Sequence, residues 1–178
     1  VSKLRREKSY HIIKGEEFLA INSQMDGTSA LDKYADFDAW LAQLRKLKDP
    51  ATTPAGLVPA TEYLALDEHE HLVGMTNLRH RLNDYLLTYG GHIGYSVRPS
   101  ERKNGYASQM LRLTLEKARE RGISKVRICC DHYNIASAKT IQRMHPLHAQ
   151  LPHWPNADRL NGKRPPRSAE SSDVPGSA

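Results

Sequence analysis

The chain has 178 residues, 39% hydrophobic and 26% charged, with 26 Lys and Arg against 20 Asp and Glu and a formal net charge of +6. That length suits one domain with a real core, and the balance is that of an ordinary soluble protein rather than a disordered one. No apolar run nears the length of a membrane span and no leader pattern opens the chain, so no membrane partner and a cytoplasmic location are expected; the basic residues are scattered without interleaved aromatics, which points away from nucleic acid.

In chain order, residues 1–30 carry little pattern: 2–10 reads as a charged helix or its remnant, and 22–29 as loop. Residues 36–48 predict a helix, with Phe37, Trp40, Leu41, Leu44 and Leu47 at helical spacing. Pro50, Pro54, Gly56 and Pro59 then make a linker or lid-like loop. Strands are predicted at 61–66 and 72–79, joined as a hairpin by the polar turn Asp67-Glu68-His69-Glu70, in which His69 and His71 are solvated turn residues. Residues 82–89 form a connecting excursion, and Gly90-Gly91 lead into a third strand. A long helix follows at 108–121, its stripe of Ala107, Met110, Leu111, Thr114, Leu115 and Ala118 facing a sheet and Gly122 ending it. Residues 125–130 predict a buried strand, parallel to the previous one because a helix joins them. Cys129 and Cys130 then point to opposite faces and cannot pair, as in a reducing compartment. Cys129 to His132 lacks the spacing of a zinc site, so no metal is expected. Asn134 caps a last helix to Met144, with Ile135, Ala138 and Ile141 inward.

The most informative run is Gly-His-Ile-Gly-Tyr-Ser-Val-Arg-Pro-Ser-Glu-Arg-Lys-Asn-Gly-Tyr-Ala at 91–107. It reads as a strand, a tight basic loop and a helix N-terminus. Such a junction aims unpaired backbone N–H groups at one point, with the positive end of the helix dipole behind them, and so makes a pyrophosphate cradle. Gly105 lets the backbone approach the anion and Ala107 leaves room. Arg102 and Lys103 add positive charge, and Arg98 adds more from the strand end. A dinucleotide fingerprint fits worse, since it needs Gly-x-Gly-x-x-Gly and an acidic residue about twenty positions on.

Arg102-x-x-Gly105-x-Ala107 after Ile-Gly-Tyr-Ser-Val-Arg-Pro resembles motif A of the GCN5-related N-acetyltransferases (GNAT), and the likeness covers residues 32–143. Asn-Leu-Arg-His-Arg-Leu-Asn at 77–83 and Tyr-Gly-Gly-His-Ile-Gly-Tyr at 89–95 look like a subgroup of small, predicted bacterial members. The resemblance implies an α/β (α+β) fold with a mixed sheet, and direct transfer of an acetyl group from acetyl-CoA to a small-molecule or protein amine. It places the cofactor on backbone groups of Val97, Arg102, Lys103, Asn104, Gly105, Tyr106 and Ala107, and CoA's pantetheine arm near Asn134, which can cap its helix as well. It puts the oxyanion donor among the amides of 95–97.

An attacking amine must lose a proton, and His92 on the cofactor strand is the first candidate base, His80 the second. Either could instead orient an acidic substrate together with Arg79. Where many family members carry a tyrosine acid, seven residues after the capping Asn, this chain has Ile141; Tyr95, Tyr106 and Tyr133 are the remaining phenols, none at the motif position, and solvent or the cradle dipoles are expected to serve the thiolate instead. Beyond Met144 the likeness stops. Six of the ten prolines follow residue 145, so 145–178 is expected to be a tail apart from the domain at 1–144, without the family's closing strand pair. The first family strand is not evident near Val1. An altered, frameshifted C-terminus and a CoA-binding pseudoenzyme form the alternative to an active transferase. The strand at 125–130 would then be an edge that invites homodimer pairing.

Overall fold

Leu-Val-Gly-Met-Thr-Asn-Leu-Arg is apolar or small on both faces, so this strand can be covered on both. In the computed structural model, which describes residues 17–144 apart from 22 and 24, it forms β2 (Leu72–Arg79), buried from Leu72 to Leu78. It pairs antiparallel with β1 (Ala60–Leu66) on one side and β3 (Ile93–Val97) on the other. The expected hairpin is closed by Asp67, which accepts the amides of His69 and His71; both histidines are exposed.

The described helices are α1 (Glu17–Ala20), α2 (Phe37–Lys48), α3 (Tyr106–Glu120) and α4 (Ile135–Met144). Asp36 starts α2 by accepting the Ala39 amide at 2.8 Å, and the helix packs on β1 with Trp40 and Leu47 buried. α3 lies across β2 and β3 on the predicted stripe: Met110, Leu111, Thr114, Leu115 and Ala118 are buried. It stops at Gly122, φ +76°, where the Ile123 amide turns back to Ala118 O at 3.0 Å. α4 packs on α3 through Ile141. Ile135, expected inward, is 57% exposed. A three-residue spacing drifts about 60° per step around a helix, so two steps carry Ile135 off the stripe that holds Ile141.

Two apolar clusters occupy the two sides of the sheet. Leu78, Ile93, Leu111, Leu115, Val126, Ile128 and Ile141 meet under α3, while Phe18, Leu31, Trp40, Leu72 and Met75 meet on the other side. The architecture is the mixed α/β arrangement implied by the resemblance. No helix among the described residues is long and apolar enough to cross a membrane.

The regular strand expected at 125–130 does not form. Ile128 makes isolated bridges to Ile93, parallel as expected, and to Gly91, and Val126 and Ile128 are buried. Next to the bridge the His92 amide donates to Arg127 O at 2.7 Å, while the Arg127 amide donates to the His92 ring and not to a carbonyl. Cys129 is half-buried, Cys130 exposed, and both are free. The expected N-terminal helix at 2–10 and the tail at 145–178, with its missing strand pair, lie outside the described residues.

Candidate functional site

After Val97 the chain leaves the sheet through a tight turn. Arg98 still donates its amide to Val73 O at 2.9 Å; Pro99–Glu101 forms one 3-10 turn, and the Arg102 amide closes it on Pro99 O. Lys103 (φ +70°) and Gly105 (φ +85°) are then left-handed, which swings the main chain into the 15-residue α3. The amides of Lys103, Asn104, Gly105, Tyr106 and Ala107 make no hydrogen bond among the described residues. A Cβ on Gly105 would meet nothing nearer than Gln109 Nε2 at 4.0 Å, so the space above the loop is open. Five free donors over a helix N-terminus fit a pyrophosphate, and Gly105 meets both the backbone and the steric demand. The Arg102 amide, expected among the donors, is used by the turn.

The loop's cations are arranged differently from the expectation. Arg98 is paired with Glu17, Nη2 to Oε1 at 2.6 Å, and Glu17 also takes the Ser100 amide and hydroxyl. Arg102 folds back: Nε donates to Val97 O at 3.3 Å, Nη2 to Ser23 Oγ at 2.8 Å, and the guanidinium stands over Phe18. Both arginines tie the N-terminal segment to the loop. Lys103 is exposed.

Beside the loop, β3 parts from the 125–130 segment. Arg98 donates to Val73 and Arg79 to His92 O, so the antiparallel alternation turns the amides of Tyr95 and Val97 away from β2. Past Ile93 no bridge joins β3 to the neighbouring segment among the described residues. A notch results, lined on its β3 side by outward main-chain donors at the positions expected for the pantetheine arm and the oxyanion.

His92 sits at the closed end of this notch. Its Nδ1 accepts the Arg127 amide at 3.0 Å, which leaves Nε2 to carry the hydrogen of the neutral ring. Burial, with Arg79 and Arg127 nearby, holds the imidazole below its ordinary 6.5. The Tyr95 hydroxyl meets Ser137 Oγ at 2.8 Å on the α4 wall, and burial raises the phenol above its ordinary value. Asn134 Oδ1 caps α4 by accepting the Ser137 amide at 3.0 Å; its Nδ2 has no partner among the described residues. His80 is not brought to the notch. It lies past the far end of β2, Nε2 at 2.9 Å from Thr61 Oγ1, with burial and Arg121 lowering its pKa. Arg79 donates through Nη1 to the carbonyls of Gly90 and Gly91 at 2.9 and 3.0 Å.

The opposite face of the sheet holds a polar cluster that the sequence pattern passed over. The stretch 26–30 crosses β3 as a strap: Ser96 Oγ donates to Asp26 O, Trp40 Nε1 to Thr28 O, and Gly27 lies on Gly94. Beneath it, Glu62 Oε2 accepts from Ser29 Oγ at 2.6 Å and Asn77 Nδ2 at 3.1 Å. Burial pushes the Glu62 carboxyl up to about 8, against the Ser29 and Asn77 hydrogen bonds and the Arg79 charge, which lower it. The signal in the sequence is Asn77, an amide within a strand that is mostly apolar.

A hollow of about 130 Å³ between Leu115, Arg119, Ile123, Ser124 and Val126 touches none of these groups. No curated protein and no solved structure gives a match. The family model described as "Acetyltransferase (GNAT) family" matches residues 25–145, well over half of the chain and inclusive of β1 to α4, so the chain belongs to the GNAT acetyltransferases.

Proposed function

We propose that the protein moves an acetyl group from acetyl-CoA to an amine by direct transfer. The observation that carries this is the run of free amides at 103–107 above the α3 N-terminus, together with the outward amides of Val97 and Tyr95 on the strand that leads into it. Acetyl-CoA supplies a thioester carbonyl, and the chain's own groups divide the remaining work. Residues 103–107 bind the pyrophosphate through main-chain N–H, with Lys103 adding charge. Val97 and Asn134 Nδ2 receive the pantetheine amides, and a main-chain N–H within 95–97 faces the developing oxyanion. Arg102 supports the loop through Val97 O and Ser23. Tyr95 keeps its proton because its phenol is buried, so it can donate to the departing sulfur. His92 takes the amine's proton on Nδ1, the ring nitrogen that holds the lone pair, by releasing the Arg127 amide.

One observation favours a second reading, a fold that binds CoA without catalysis: Ile141, where many family members carry a tyrosine, is 2% exposed and has no proton to give. Two measurements separate the readings. Acetyl-CoA raises the melting temperature under both. Release of free CoA thiol with a panel of amines occurs only if the chain is a transferase, and its absence in the presence of a clear melting shift leaves the binding fold.

A further inference from the structure

Glu62 Oε1 is a buried side-chain oxygen with no hydrogen-bond partner among the described residues. We propose that Glu62 is a specificity-determining residue for the acceptor, and that its Oε1 receives a second cationic group of that molecule, an ammonium or amidinium distinct from the amine that is acetylated. The assignment rests on the acetyl-transfer reading above and names its acceptor class.

The two carboxylate oxygens are unequally served. Oε2 has the Ser29 hydroxyl and the Asn77 amide, and Asn77 Nδ2 also donates to Ser29 Oγ at 3.0 Å, so this side is saturated. Oε1 has nothing, and a buried acceptor left without a donor is costly. The charges facing it do not supply one. Arg79 on β2 spends its Nη1 on Gly90 and Gly91, Asp26 on the strap brings a second carboxyl and no cation, and no ion pair to Glu62 occurs among the described residues. Without a ligand the carboxyl therefore keeps a proton, as its raised pKa reflects. An entering cation supplies the missing donor and discharges that proton.

Position decides between this role and that of a base. The register sets Glu62 opposite Asn77 and Asn77 opposite Gly94, so Glu62 lies two strand spacings, about 10 Å, from β3. The reacting edge, with the Tyr95 and Val97 amides, lies beyond that. Direct proton transfer needs about 3 Å, or one intervening water, and Glu62 is too distant. A second charge carried a short aliphatic chain away from the reacting nitrogen spans that gap.

The cover over Glu62 is strained. Ser29 (φ +50°) and Ala30 (φ +58°) are consecutive non-glycine residues in the left-handed region, which L side chains disfavour. Ser29 is also the residue whose hydroxyl rests on the carboxylate. Lifting the strap relieves that strain and uncovers the acid in one movement.

The test is calorimetry on the full chain: acetyl-CoA first, then 1,4-diaminobutane or butylamine as probes, near neutral pH in two buffers of different ionisation enthalpy. The wild type is expected to bind the diamine about tenfold or more tighter than butylamine, with close to one proton released per site. Glu62→Gln, nearly isosteric, is expected to lose both the preference and the buffer-dependent heat. Equal affinity of the wild type for the two amines, diamine binding without proton release, or a preference retained in Glu62→Gln overturns the assignment. The two wild-type readouts stand even if the variant does not fold. Failure of acetyl-CoA to bind at the first step overturns the transfer reading and this one together; normal acetyl-CoA binding with no diamine preference overturns this one alone.

Discussion

The imidazole of His92 occupies the place in which a neighbouring strand would offer a carbonyl: its Nδ1 accepts the Arg127 amide at 3.0 Å. One side chain thereby holds the 125–130 segment against the start of β3, while past the Ile93–Ile128 bridge no ladder covers the amides of Tyr95 and Val97 among the described residues. Structural and proposed chemical duties meet on that ring, and they can be separated by measurement.

His92→Ala leaves the half-buried Arg127 amide without its acceptor, a loss of about 1–3 kcal/mol. The folded imidazole is held below 6.5, so the unfolded chain takes up the proton first as pH falls, and wild-type stability declines below about that value. Urea midpoints should show the deficit of His92→Ala narrowing from pH 7 toward pH 5. A slope remains in the variant, since burial shifts His80 in the same direction. In steady-state assays the variant should lose turnover more than acetyl-CoA affinity; an unaltered rate removes His92 as base.

Gly105 allows backbone strain and ligand fit to be told apart. Alanine there meets open space but must adopt φ +85°, so Gly105→Ala should cost about 1–2 kcal/mol of stability and retain measurable acetyl-CoA binding. Gly105→Glu carries the same strain plus a carboxylate beside the free amides. Calorimetry should find acetyl-CoA binding abolished in the glutamate variant, and affinity equal in the two variants would count heavily against a pyrophosphate in this loop.

The strap has a comparable hinge point. A Cβ on Gly27 would sit 2.2 Å from Gly94 C, main chain on main chain, where nothing can yield. Gly27→Ala should unseat 26–30, cost about 3 kcal/mol or more, and increase proteolysis at the strap. A crystal structure of that variant with the strap in its native place would contradict the tightness of this contact.

Glu62→Gln should be stabilising, increasingly so in alkali. The wild-type carboxyl is raised from about 4.5 to about 8, so across that window the folded chain holds a proton that the unfolded chain has lost. Stability therefore falls with rising pH by at most about 1.4 kcal/mol per unit. The melting-temperature gain of Glu62→Gln should be small near pH 5 and largest near pH 8; a gain independent of pH would show that the carboxyl is not buried as described.

Much of the frame was legible from residue order alone, because its signals are local. The apolar run of β2, the apolar stripe of α3, Gly122 after it, and Asp36 and Asn134 before their helices each depend on neighbours within one or two turns of chain. The same locality explains why the loop at 102–107 could be read: a left-handed glycine before a helix leaves free amides whatever else surrounds it. Ile135 turns to solvent for a geometric reason, since a spacing of three drifts around the helix unless corrected by a four.

What order along the chain could not disclose is where distant side chains spend their bonding capacity. Arg98 and Arg102 look like free cations in sequence, yet Glu17 and Ser23, some eighty residues earlier, engage them. The 125–130 segment has the composition of a strand, but its Arg127 amide goes to a histidine ring 35 residues earlier in the chain. Glu62 reads as one polar position in a half-buried strand. Only tertiary structure sets Ser29 and Asn77 on one of its oxygens and nothing on the other, because hydrogen-bond satisfaction depends on which elements are stacked in space and not on spacing along the backbone.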